Sequence, residues 1–85
     1  MSDLASLGLR VGARVRWRRG AGGRWNEGRV ERVEADGSVG VRDGKGASRA
    51  LVIERIEVAS SGPRGGSMWE SLAERAVRTE QMELF

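Results

Sequence analysis

The sequence contains no cysteine and no histidine, and these two absences exclude several classes of protein. Without cysteine the chain has no disulfide and no thiolate nucleophile, and without histidine it lacks the base of a serine-type triad and the common zinc ligands. It also has no long apolar run, and its first residues lack the basic start and apolar middle of a signal peptide. The sequence therefore predicts a soluble, cytoplasmic protein with no metal, no cofactor and no membrane partner.

The positive charge of the chain is concentrated in its centre. With 85 residues the chain can hold one small domain and its tails. Residues 10–58 carry 12 basic and 7 acidic side chains, a net +5, whereas residues 1–9 and 59–85 each carry −1. The central basic residues are all arginines except Lys45, and arginine suits phosphate contacts and base stacking. A GC-rich genome also produces such an arginine-, alanine- and glycine-rich composition, so the charge alone does not define a partner.

Residues 10–58 have the alternation and turn signals of five short strands. In the first strand, arginines alternate with apolar residues that are predicted to face inward, namely Val11, Ala13, Val15 and Trp17. A second strand with a β-bulge, two tight turns at Asp36-Gly37 and Asp43-Gly44, and a late 3₁₀ turn follow. Residues 1–9 are predicted to form a short flexible lead, with one helical turn through Leu4 and Leu7 that covers an end of the domain. This pattern predicts a mainly β fold, a small and strongly bent five-stranded barrel.

Four segments of this region resemble the SH3-like barrels of the Tudor and KOW type. They are Gly12-x-x-Val15-x-Trp17, Gly28-x-Val30-x-x-Val33, Gly37-x-Val39-x-Val41 and Leu51-Val52-x-x-x-Ile56. The resemblance implies an SH3-like barrel over residues 10–58 that binds nucleic acid or protein and is not an enzyme. The residues themselves also predict no catalysis, because the acidic side chains are interleaved with arginines or lie at turns.

A candidate nucleic-acid-binding surface lies on and beside the first strand. Its residues are Arg14, Arg16, Arg18, Arg19, Arg24 and Trp25, and no acidic residue occurs among them in the sequence. The arginines are expected to contact phosphates of DNA or RNA, and Trp25, at the edge of a glycine-rich loop, is expected to stack on a base. The alternative is a solvated outer face on which Trp25 covers one end of the core.

The composition changes after residue 58. Residues 59–66 contain three glycines and one proline and are predicted to form a flexible linker. Residues 67–80 are predicted to form an amphipathic helix that begins with a capping box of Ser67 and Glu70. Its candidate docking residues are Trp69, Leu72 and Val77, and the sequence leaves open whether they contact a partner or the barrel of the same chain.

The last five residues, Gln81-Met82-Glu83-Leu84-Phe85, resemble the peptide with which bacterial DNA-processing proteins bind the replication sliding clamp. The resemblance implies that Leu84 and Phe85 fill an apolar pocket and that the Gln81 amide fixes the register of the peptide. Met82 stands at the position that favours an aliphatic residue. In the alternative interpretation, Leu84 and Phe85 fold back onto their own domain.

Taken together, these features predict a non-catalytic adaptor of bacterial DNA replication or repair, in the cytoplasm or at the nucleoid. Its basic barrel would contact DNA or RNA, and its terminal peptide, residues 81–85, would dock on the sliding clamp, the β subunit of the polymerase machinery. The alternative is a Tudor-like protein-interaction module that binds a polymerase subunit or a repair protein without touching nucleic acid.

Overall fold

The chain forms one antiparallel sheet that is followed by a helix. The computed structural model describes residues 3–61 and 66–82, and within them it has six strands, one α-helix and two short 3₁₀ turns. The strands are β1 Arg14–Trp17, β2 Asn26–Val33, β3 Val39–Asp43, β4 Ser48–Leu51, β5 Ile56–Ser61 and β6 Ser67–Ser71. The 3₁₀ turns are Ala5–Leu7 and Ile53–Arg55, and helix α1 is Leu72–Met82. The fold is therefore mainly β, as the sequence predicts.

The strand order is β4-β3-β2-β1-β5-β6, and the sheet is not closed. Strands β1 to β4 pair with their neighbours in the sequence, and β5 then crosses back to pair with the free edge of β1. The prediction of a closed five-stranded barrel is wrong, because β5 pairs on its other side with a sixth strand. Strands β4 and β6 are left as the two edges of the sheet.

The segment from residue 59 to residue 71 departs most from the sequence-based prediction. Instead of a linker and a capping box, it contains the second half of β5 and all of β6, with Ala59 opposite Trp69 and Val58 opposite Glu70. Residues 62–65 of the predicted linker lie outside the described part of the chain. The helix begins at Leu72 rather than residue 67, and the Glu74 N–H donates to Ser71 Oγ at 3.4 Å in place of the predicted cap. Pairing with β5 has overridden a local helix-start signal.

The core lies between the inner face of the sheet, the N-terminal turn and α1. Its buried side chains are Leu7, Leu9, Val15, Trp17, Val30, Val39, Val41, Ile56, Val58 and Leu72. The inward alternation on β1 is confirmed for Val15 and Trp17, but Val11 is 73% exposed because it lies in a turn before the strand. The predicted helical turn that covers an end of the domain is confirmed, because Leu7 belongs to the core and Leu4 packs against it. Leu9 is also buried, so residues 3–9 are packed against the domain rather than being a flexible lead.

Helix α1 docks on its own domain. Leu72 has no exposed surface, and Ala76, one turn further along, packs against the core cluster. The Arg75 guanidinium donates from Nε to the Gly8 carbonyl oxygen at 2.8 Å, which fastens the helix to the N-terminal segment. Among the described residues, no helix is long and apolar enough to span a membrane.

Gly28 permits β2 and β3 to pack closely. A Cβ at this position would overlap the Arg42 carbonyl oxygen and would lie 3.0 Å from Trp17 Cη2. Because that carbonyl belongs to the β2–β3 ladder, it cannot move alone. We expect Gly28→Ala to lower the free energy of unfolding by about 1–3 kcal/mol, as measured by urea denaturation.

Gly44 provides the matched control for Gly28. It lies in the turn between β3 and β4, a Cβ there would meet no atom within 4 Å, and its φ is not positive. We expect Gly44→Ala to change the free energy of unfolding by at most about 0.5 kcal/mol. Equal losses for the two variants would show that the close approach at Gly28 does not limit stability.

Candidate functional site

Three arginines on or directly after β1 meet two tryptophans on the outer face of the sheet. Because β1 alternates, Arg14 and Arg16 point away from the core, and Arg18 follows directly after the strand. Trp25 comes from the residue before β2, and Trp69 comes from β6, two strands away from β1. We call these five side chains the arginine–tryptophan row.

Each indole in the row contacts two arginines. The Arg16 guanidinium carbon lies 3.9 Å from the ring centroid of Trp25 and 4.6 Å from that of Trp69. Arg18 lies 4.3 Å from the Trp25 centroid, and Arg14 lies 5.4 Å from the Trp69 centroid. All four distances are within the range of cation–π attraction, which extends to about 6 Å. Arg16 thus contacts both indoles, and its guanidinium links Trp25 to Trp69.

Trp69 reaches the row across β5. It is the cross-strand partner of Ala59 on β5. The small side chain of Ala59 leaves space above the outer face of β5 at this point. The indole can therefore extend over β5 to the arginines of β1. Trp69 was predicted to lie on a helix that docks either on a partner or on the barrel of the same chain. The helical assignment is wrong because residues 67–71 form a strand, and the indole contacts arginines of its own sheet.

Cross-strand register brings carboxylates into the row. Arg14 Nε donates to Glu27 Oε1 at 3.0 Å, and Arg16 Nη2 lies 2.6 Å from Glu57 Oε1. Arg16 is directly opposite both glutamates, one on β2 and one on β5. The expectation that no acidic residue lies among these arginines held for the linear sequence and is wrong for the folded sheet. The charges of Arg14 and Arg16 are largely balanced.

Unbalanced positive charge collects at the Trp25 end of the row. In the described part of the chain, no ion pair involves Arg18, Arg19 or Arg24, although Arg18 is stacked on Trp25. Arg55, from the second 3₁₀ turn, is likewise without an ion pair and lines the same surface pocket as Arg18, Arg19 and Trp25. Sequence reasoning missed Arg55, since only the return of β5 beside β1 brings it to the loop.

Trp25 lies on the outer face rather than over the core. It is half-buried, it contacts Arg16 and Arg18, and it is not a member of the core cluster. Trp17, by contrast, is 5% exposed and points inward from β1. The alternative in which Trp25 acts as a lid on the core is therefore wrong.

Outside the row, several carboxylates accept hydrogen bonds that link neighbouring strands or close turns. Donation by the Arg42 guanidinium lowers the pKa of Glu31, whose other oxygen accepts from the Ser48 hydroxyl. The backbone N–H of Ala47 is the main cause that lowers the pKa of Asp43, with further donation from Lys45 N–H and Arg49. A lowered pKa extends the ionised range of these groups to more acidic pH, which suits acceptors in turns and ion pairs. Residues 3–61 and 66–82 contain no group of three or more acidic side chains placed to hold a metal ion.

The predicted docking helix and clamp peptide are only partly described. On α1, Leu72 faces the core, whereas Val77 is 54% exposed, so the two do not share one docking face. The helix continues to Met82, two residues beyond the predicted end, and Gln81 is exposed in its last turn. Leu84 and Phe85, together with the side chain of Met82, lie outside the described residues.

No protein-family model, no curated protein and no solved structure matches this chain. The geometry of the site and the sequence motif at residues 81–85 are therefore the features from which a function can be proposed.

Proposed function

We propose that this chain is a non-catalytic adaptor that binds single-stranded nucleic acid along the arginine–tryptophan row. The observation that carries the proposal is the Arg16 guanidinium in contact with both Trp25 and Trp69, beside arginines that have no acidic partner in the described chain. Binding sites for single strands combine planar groups on which bases stack with cations that follow the phosphates. Both kinds of group lie next to each other on this face.

The arginines of the row divide between two tasks. Arg14 and Arg16 are paired with Glu27 and Glu57, so their main contribution is to orient the indoles and to present planar guanidinium surfaces. Phosphate contacts fall to Arg18, Arg19 and Arg24, whose charges are not balanced by an ion pair among the described residues. Of the predicted nucleic-acid residues, Arg18 and its neighbours in the loop should therefore dominate the electrostatic part of binding.

The clamp-binding peptide at residues 81–85 is the second part of the proposal. Its support is the match of Gln81-Met82-Glu83-Leu84-Phe85 to the clamp-binding pattern and the exposure of Gln81. The docked helix α1 would hold this peptide at a nearly fixed distance from the row, instead of the flexible tether that the sequence predicts. Simultaneous contact with clamp and nucleic acid would raise the effective concentration of each for the other. Such an adaptor would work in the cytoplasm, at the nucleoid, in replication or repair.

We also propose that residues 10–58 are related to the SH3-like domains of the Tudor and KOW type. The proposal does not include a closed barrel, because the sheet is open. It is supported by the consecutive pairing of β1 to β4, the 3₁₀ turn before β5 and the bulge in β2 between Val30 and Arg32. Strand β6 and helix α1 would then be additions to that unit.

A protein-interaction module that does not bind nucleic acid is the second candidate. The specific observation in its favour is that Glu27 and Glu57 balance two of the arginines in the row. A surface of tryptophan and arginine with little net charge resembles the energetic centre of a protein–protein interface. The partner in that case would be a polymerase subunit or a repair protein.

A titration of a labelled single-stranded oligonucleotide, followed by fluorescence anisotropy, separates the two candidates. We expect the full chain to bind at low salt and Arg18→Gln to weaken binding roughly tenfold, because one charge-assisted hydrogen bond to phosphate is lost. Lys45→Gln is the matched control, since it removes one positive charge from the β3–β4 turn, outside the row. Absence of binding at low salt, or equal weakening by both variants, would contradict the proposal.

A further inference from the structure

A pocket of about 350 Å³ lies beside the Trp25 end of the arginine–tryptophan row. It is formed between the loop that joins β1 to β2 and the second 3₁₀ turn, Ile53–Arg55. Its charged and aromatic lining consists of Arg18, Arg19, Trp25, Glu54, Arg55 and Glu57. Because Arg18 and Trp25 belong to both the row and the pocket, a strand that follows the row ends at this pocket or passes over it.

The lining of the pocket is positively charged once its ion pair is taken into account. Glu57 is engaged by Arg16 at 2.6 Å and so contributes little free negative charge. Three arginines, Arg18, Arg19 and Arg55, then face one carboxylate, Glu54, which leaves a net charge of +2. No ion pair within residues 3–61 and 66–82 uses these three guanidinium groups.

The loop leaves its main chain open to a ligand in the pocket. Gly20 and Ala21 line the pocket with almost no side chain, which lets a ligand approach the main chain closely. The Gly23 N–H donates to the Gly20 carbonyl oxygen at 3.0 Å, which closes the turn beside the pocket.

We propose that this pocket binds the terminal phosphate of a nucleic-acid strand. A phosphomonoester carries a charge of about −1.5 to −2 at neutral pH, which matches the pocket, whereas a phosphodiester inside a strand carries only one negative charge. Arginine forks bind phosphate oxygens in pairs, and Trp25 stands where the last base can stack. The proposal rests on the proposed function, and it adds that the site prefers strand ends that carry a phosphate.

The test compares oligonucleotides of equal length and sequence with a 5′-phosphate, a 3′-phosphate or hydroxyl groups at both ends. The full chain is titrated with each at fixed low salt, and we expect at least one phosphorylated form to bind roughly tenfold more tightly than the hydroxyl form, as two added charge-assisted hydrogen bonds imply. Competition with a nucleoside 5′-monophosphate distinguishes a strand end from a free nucleotide. If the nucleoside 5′-monophosphate competed as well as the phosphorylated oligonucleotide, the pocket would bind any phosphomonoester. That result would overturn the specific preference for a strand end.

Arg55→Gln is the informative variant, because Arg55 lines the pocket but lies outside the row and is exposed in the fold. It is expected to remove the preference for the phosphorylated end while it leaves affinity for the hydroxyl form within about twofold, since the row is intact. Lys45→Gln should keep the preference. If all oligonucleotides bound with equal affinity, or if the preference survived Arg55→Gln, the assignment of the pocket to the terminal phosphate would be overturned. The proposed function would not be affected by either result. Failure to bind any oligonucleotide would instead overturn the proposed function.

Discussion

Leu72→Ala is expected to lower the free energy of unfolding by about 2–5 kcal/mol, the range for truncating a large buried side chain. Leu72 is completely buried at the point where β6 becomes α1, and it belongs to the core cluster with residues of the sheet and of the N-terminal segment. A domain of this size has a total stability of only about 5–15 kcal/mol. The substitution should therefore shift the urea midpoint by a large fraction of its value, as followed by the intrinsic fluorescence of the three tryptophans.

Val77→Ala is the control for this experiment. Val77 lies on the same helix but is 54% exposed, so its truncation creates no enclosed cavity. We expect a change of at most about 0.5 kcal/mol. If both variants lost the same amount, or if Leu72→Ala had no effect, α1 would not be docked on the sheet through Leu72.

The double substitution Leu84→Ala with Phe85→Ala is expected to abolish retention of the chain on immobilised sliding clamp. These two side chains are the apolar anchors of the proposed peptide, and the loss of two such anchors implies an affinity reduction of at least roughly 100-fold. Single-stranded nucleic-acid binding should be unchanged, since neither residue belongs to the arginine–tryptophan row.

Glu83→Gln serves as the matched control for the clamp experiment. The motif predicts that Glu83, directly before the two anchors, stays solvated, so this variant should be retained as well as the unsubstituted chain. Retention of the double variant would refute the clamp-binding peptide. Loss of retention by Glu83→Gln alone would point to a charge contact instead of an apolar pocket.

Local signals in the sequence were sufficient for the first four strands. The alternation of Val15 and Trp17 with arginine, and the Asp-Gly turns on either side of β3, are properties of neighbouring residues. The bulge in β2 and the late 3₁₀ turn were also predicted and are present. Each of these features is decided within a few residues of the chain.

The features that the sequence did not reveal depend on contacts between distant residues. Strand β6 exists because residues 67–71 pair with β5, and a local helix-start signal at Ser67 and Glu70 gave no hint of that pairing. The carboxylates beside Arg14 and Arg16 come from β2 and β5 through the cross-strand register, which a single sequence does not specify. Trp69 entered the site for the same reason. Four of the five residues of the row, those contributed by β1 and the loop after it, were thus predictable from the sequence, and Trp69 was not.

The salt dependence of oligonucleotide binding tests the central claim most directly. The titration is repeated over a series of salt concentrations for the unsubstituted chain, Arg18→Gln and Lys45→Gln. If Arg18 neutralises a phosphate, its replacement should reduce the slope of log K against log salt by about 0.7, the value for one contact with a single strand. Lys45→Gln should keep the original slope. An unchanged slope for Arg18→Gln, or no salt-dependent binding by the unsubstituted chain, would contradict the assignment of the arginine–tryptophan row to nucleic acid.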